Sequence, residues 1–80
     1  MKAIVHVGLK SGVLDPQGKA VADTLGRMGF GEVASARIGK VIELDLEGVA
    51  QGEAETRVRE MCEKLLANTV IENYRIELVD

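Results

Sequence analysis

Apolar and polar residues alternate at the start of the chain, with Ala3, Val5, Val7 and Leu9 set against Lys2, Ile4, His6, Gly8 and Lys10. Period two predicts a strand. Asp15 then precedes Pro16, a capping carboxylate followed by a residue with φ preset and no N–H to leave unpaired. Val21, Leu25 and Met28 fall at i, i+4 and i+7, and Gly29 supplies a stop, so a first helix is predicted between Pro16 and Met28. Gly18 and Gly26 each weaken it by about 1 kcal/mol relative to alanine, and Gly26 suggests close packing on a sheet.

Residues 32–47 predict two short strands with Gly39-Lys40 at a tight turn, glycine taking the first central position. In that register Ile38 faces Val41, Arg37 faces Ile42 and Ser35 faces Leu44. One face then carries Val33, Ile42, Leu44 and Leu46, and the other Ala34, Ala36, Ile38 and Val41 before turning acidic at Glu43 and Asp45. A single long bent strand fits the same residues, and the pattern leaves both open. Ala54, Val58, Met61, Cys62 and Leu65 then follow i, i+4, i+7, i+8 and i+11, the stripe of an amphipathic helix. Glu53 and Glu55 suit its positive end, Glu60 and Lys64 form an i, i+4 pair, and Asn68 is expected as a left-handed cap. Tyr74, Ile76 and Leu78 alternate with Asn73, Arg75 and Glu77 in a last strand. The order β-α-β-β-α-β predicts an α+β, ferredoxin-like two-layer sandwich, with two helices on one face of an antiparallel sheet.

Eighty residues make one domain, 1–80, with a thin core of its own. Cys62 is the only cysteine and His6 the only histidine, so neither a disulfide nor a structural zinc site can form within the chain. A lone thiol fits a reducing cytosol. The N-terminal segment has no apolar leader, and no apolar run approaches the roughly 20 residues that cross a bilayer, so a cytoplasmic protein is expected. Thirteen acids against ten bases, with Phe30 and Tyr74 the only aromatics, offer neither the basic face nor the stacking platform that nucleic acid needs.

Catalytic chemistry is hard to find. Gly39-Lys40 lacks the upstream glycine and the following hydroxyl of a phosphate loop, and Gly29-Phe30-Gly31 follows a helix where a dinucleotide fingerprint precedes one. His6 has no evident partner and suits a surface or interface. Cys62 lies on the apolar stripe, where it is a small hydrophobe. No catalytic, cofactor-binding or metal-binding residue is assigned. Arg37 and Lys40 could grip an anion or acidic partner, although a solvated turn is the blander role and the one favoured. The apolar start of the second sheet face, Ala34, Ala36 and Ile38, has no third helix to cover it and predicts a homodimer or higher assembly.

Three segments together resemble one family. They are Lys10-Ser11-Gly12-Val13-Leu14-Asp15-Pro16-Gln17-Gly18, Ala36-Arg37-Ile38-Gly39-Lys40, and the run from Leu65 through Asn68-Thr69-Val70-Ile71-Glu72-Asn73-Tyr74 to Glu77. Their order and the chain's length resemble the PurS family, the small subunit of phosphoribosylformylglycinamidine synthase, over nearly the whole sequence. The resemblance implies a non-catalytic subunit that bridges a glutaminase subunit and an ATP-using synthetase subunit in purine biosynthesis. Formylglycinamide ribonucleotide, glutamine and ATP there become formylglycinamidine ribonucleotide, glutamate, ADP and phosphate, and the small subunit assists ammonia transfer. It also implies that ATP and magnesium belong to the synthetase partner. Gln17, Arg37, Lys40 and Glu72 sit in the family-like loops without an evident folding role and are assigned to partner contact. A regulatory βαββαβ domain binding a small effector is the alternative. A stand-alone acylphosphatase-like enzyme would need an arginine in the loop after the first strand, where Lys10 to Asp15 offers none.

Overall fold

The computed structural model describes residues 1–80. Strand β1 (Lys2–Leu9) is followed by helix α1 (Pro16–Arg27), strand β2 (Gly39–Asp45), helix α2 (Gln51–Met61) with a π-helical turn (Cys62–Leu66), and strand β3 (Glu72–Val79). The sheet runs β2-β1-β3, antiparallel throughout. β1 is central because its alternate residues Ala3, Val5 and Val7 are apolar and can be covered completely. Val5 stands between Ile42 and Ile76, and Ala3 between Leu44 and Leu78. α2 lays Val58 and Cys62 over this face, and Ala67 closes the cluster. The start of β1 and the end of β3 lie side by side, Lys2 opposite Val79.

The other face of the sheet is open and mostly charged. Ile4 sits between Glu43 and Glu77, and His6 between Val41 and Arg75. Lys2 reaches Glu43 at 3.2 Å, and His6 Nε2 meets Glu77 Oε1 at 3.2 Å. Such half-exposed pairs add little stability, about 0–1 kcal/mol each.

The α+β layout, with an antiparallel sheet and two helices, is the one expected, but three particulars differ. The first is the hairpin. Gly39 does not turn the chain: positive φ occurs only at Gly29 and Gly48, whereas the expected turn needs it at Gly39. Gly39 instead pairs with Gly8 within the β1–β2 ladder, where a Cβ would come within 2.6 Å of the Val7 carbonyl oxygen. Residues 33–38, ahead of it, belong to no strand or ladder, so within one chain neither the hairpin nor the single long bent strand is formed.

The second is α1. Its ends are built as expected. Asp15 caps the start with Pro16 behind it, and Gly29 (φ 101°) follows the end, with the Phe30 N–H donating to the Leu25 carbonyl at 2.9 Å. The helix, however, does not lie on the sheet; only α2 packs there to any extent. With residues 32–38 it forms an arm, and the molecule measures 50 × 26 × 14 Å. Its radius of gyration, 16.1 Å, exceeds the roughly 12 Å of a compact chain this long. Gly26 therefore meets nothing, and the close packing belongs to Gly18, where a Cβ would overlap the Ala36 carbonyl oxygen.

The third is the end of the second helix. Ala54, Val58 and Cys62 face the core, but Leu65 is 82% exposed. The Ala67 N–H donates to the Cys62 carbonyl, an i→i+5 bond, so the turn holds one residue more than an α-helical turn. That extra residue moves the stripe from Leu65 to Leu66 and Ala67. Asn68 is not left-handed. Its carbonyl accepts from the Ile71 and Glu72 N–H groups, and its Oδ1 from the Val70 N–H at 3.2 Å, making the turn into β3.

Candidate partner-binding site

The arm meets the sheet at one carboxylate. Asp15 Oδ1 accepts from the Gly18 N–H at 2.8 Å, which caps α1, and Oδ2 accepts from the Ile38 N–H at 2.7 Å, which ties down the chain just before β2. Asp15 is almost wholly buried. The Ile38 and Gly18 N–H groups hold its pKa below the ordinary value, with help from the Arg37 charge and against the cost of burial. Arg37 fastens the same joint from outside, donating to the carbonyls of Val13 and Lys10, each at 2.9 Å.

Beside this joint lies an open cleft of about 480 Å³. Val7, Leu9 and Ile38 supply apolar walls, and Gln17, Lys40 and Glu72 supply polar ones. Three of the four residues assigned to partner contact are thus brought together, while Arg37 lines a separate groove along α1. The structure also gives two of the four a folding role. Glu72 Oε1 accepts from the Asn68 N–H at 2.6 Å, and Arg37 donates to the Lys10 and Val13 carbonyls of the loop before α1. Gln17 and Lys40 take part in no side-chain hydrogen bond or ion pair within the chain.

The two side chains with catalytic potential are separated. Cys62 is buried under α2, where desolvation first and the Glu63 charge second push its thiol pKa up. His6 is on the opposite, open face of the sheet, so no thiol–imidazole pair exists. No group of three His, Cys, Asp or Glu side chains converges to hold a metal ion. Sequence reasoning missed one close pair, Tyr74 Oη donating to Glu63 Oε2 at 2.6 Å, which raises the tyrosine pKa. Its signal was the position of Tyr74 on the helix-facing side of β3. The arrangement offers an open cleft with apolar walls, rimmed by an unengaged cation and an unengaged amide, which suits docking.

Known proteins resolve what the cleft alone does not. The family profile described as PurS, phosphoribosylformylglycinamidine (FGAM) synthase, matches residues 2–80. The chain belongs to the PurS family. The PurS subunit of Bacillus subtilis is 53% identical over 96% of this chain and 90% of its own length. That of Archaeoglobus fulgidus is 46% identical over 95% of each. Among solved structures, B. subtilis PurS superimposes with a TM-score of 0.89 at 52% identity, covering 99% of this chain and 98% of that one. A chain of the PurLQS structure from Thermotoga maritima gives 0.86 at 33% identity, over 95% and 93%. These PurS chains thus share the overall layout found here. The chain is a small subunit of FGAM synthase in purine biosynthesis.

Proposed function

We propose that this subunit is non-catalytic and bridges the synthetase and glutaminase subunits of the synthase, assisting ammonia to pass between them in the cytoplasm. The observation that carries the reading is the end-to-end likeness to a chain of the PurLQS assembly. It binds no cofactor, ATP and magnesium being handled by the synthetase. It pairs with a second copy of itself, because α1 and the turn after it leave Val21, Met28 and Phe30 40%, 65% and 48% exposed on an arm that the sheet does not cover. Lys40 and Gln17, free of intramolecular partners, meet the larger subunits, and Arg37 and Glu72 hold the surface in shape. No helix is long and apolar enough to cross a membrane.

The test is reconstitution. The synthetase and glutaminase subunits are mixed with and without this chain, and glutamine-dependent FGAM formation is compared with glutamine hydrolysis. Glutamine-dependent synthesis that proceeds equally well without the small subunit would exclude the bridging role.

A further inference from the structure

A subunit that bridges two others needs two separate docking surfaces, and the cleft beside the arm supplies one. The outer side of α2 carries a second feature, an open groove of about 350 Å³ lined by Arg57, Glu60, Met61, Lys64 and Leu65. It shares no residue with the cleft and lies on the side of α2 away from the buried Ala54, Val58 and Cys62. We propose that this groove receives a helix of one of the two larger subunits, one that sets a carboxylate a turn away from an apolar side chain. This rests on the bridging reading and names the second surface that it requires.

The π turn builds the groove. In an unbroken α-helix Leu65 would fall on the stripe of Val58 and Cys62. Each residue of the turn from Cys62 to Leu66 advances less around the axis, which swings Leu65 back into line with Met61 and Arg57. Leu66 and Ala67 fill the core in its place, so packing within the chain asks for nothing apolar at position 65. Leu65 is nevertheless the most exposed large apolar side chain of the molecule, and it adjoins the half-buried Met61. A lone exposed leucine is ordinary, whereas a leucine and a methionine together on the wall of a groove form a seat for an apolar anchor.

Charge specifies the rest of the occupant. Arg57 takes part in no hydrogen bond or ion pair within the chain, and the acids that flank the groove are already engaged. Glu55 holds Arg59 at 2.7 Å, Glu60 holds Lys64 at 3.7 Å, and Glu63 accepts from Tyr74. Two cations against one acid leave the groove positive, on a chain whose net charge is −3. A carboxylate of the docking helix would meet the Arg57 guanidinium, which offers it two parallel N–H donors. Arg57 and Met61 are one turn apart, and that spacing sets the distance between the partner's acid and its apolar anchor.

Two substitutions and a photo-cross-linker test it. Leu65→Ser removes the anchor and Arg57→Glu reverses the charge, both at exposed positions, so their melting curves should match the parent's. Each variant is titrated into the synthetase and glutaminase subunits supplied with ATP, magnesium, glutamine and formylglycinamide ribonucleotide. The concentration giving half-maximal glutamine-dependent synthesis should rise tenfold or more at an unchanged maximal rate, and the deficit of Arg57→Glu should shrink with added salt. Benzoylphenylalanine in place of Leu65, irradiated in the assembled complex, should attach to one larger subunit, with an Asp or Glu three or four residues from the point of attachment. Unchanged half-saturation for both variants would overturn the groove as a docking site while leaving the bridging role in place. Cross-links to a second copy of this chain alone, or to a segment without an acid, would do the same. Synthesis that proceeds without the small subunit would remove the bridging role and this proposal with it.

Discussion

Gly18 and Ala36 meet so closely that the helix and the returning chain share one surface: the place of a Cβ on Gly18 is taken by the Ala36 carbonyl oxygen. The neighbouring atom is backbone and cannot swing aside. Gly18→Ala should therefore destabilise the protein by more than about 1 kcal/mol. Gly26, in the same helix with open space around it, makes the matched control. Gly26→Ala should stabilise by about 0.5–1 kcal/mol through helix propensity alone. Urea unfolding of both variants checks the contrast, and equal effects would mean that the arm is not packed as described.

Asp15 makes the joint sensitive to acid. Its pKa is depressed below 3.8, chiefly by the Ile38 and Gly18 N–H groups. A depressed carboxylate contributes its full stabilisation above the unfolded-state value and loses it as pH falls through the folded one. Unfolding free energy should thus hold near neutrality and drop below about pH 3.8. Asp15→Asn, which keeps one acceptor for two N–H groups, should be less stable at pH 7 and should lose that part of the acid response. Denaturant titrations between pH 2 and 7 would show it.

Cys62 should behave as a packing residue. Burial raises its pKa and shields the sulfur, so an aromatic disulfide reagent should label native protein slowly and unfolded protein at once. Cys62→Ala should cost about 1 kcal/mol of stability. Reconstituted synthase activity should stay near that of the parent. Fast labelling with parallel loss of activity would show that the thiol has a role outside the core.

Gln17 and Lys40 should separate from Arg37 and Glu72 under mutation. Lys40→Met, which keeps the stem and removes the charge, should leave the melting curve alone and weaken binding to the larger subunits. A loss of about 2 kcal/mol is expected if the ammonium is desolvated on docking, and the affinity should fall with added salt. Arg37→Ala and Glu72→Ala should lower the melting temperature, because each leaves backbone groups without a partner. Calorimetric titration beside thermal melts distinguishes the two classes.

The sequence carried local structure well and long-range placement poorly. Asp15-Pro16 and Gly29 announce the ends of α1 because capping is written into neighbouring residues. The stripe of α2 is legible as far as Cys62 and fails where the π turn inserts a residue, since periodicity assumes one constant pitch. Gly39 looks like a turn because glycine allows one, yet its cause is a carbonyl from β1, 32 positions earlier in the chain. Arg37 seemed free for the same reason: its hydrogen bonds go to a loop at least 24 positions earlier. Glu72 bonds only four positions back, to the Asn68 N–H, within the local turn that the expected left-handed cap concealed. The Gln17 and Lys40 side chains have no such partner within the chain.

Lys2 and Val79, side by side at the far end of the sheet, have a practical consequence. A tether or fluorophore at either extremity would sit at the opposite end of the sheet from the cleft and the arm. Surface-immobilised protein coupled there should present its docking side to solution. A short flexible bridge could also join the two ends, allowing the backbone to be reopened near Gly48 as a circular permutant that retains all three strands.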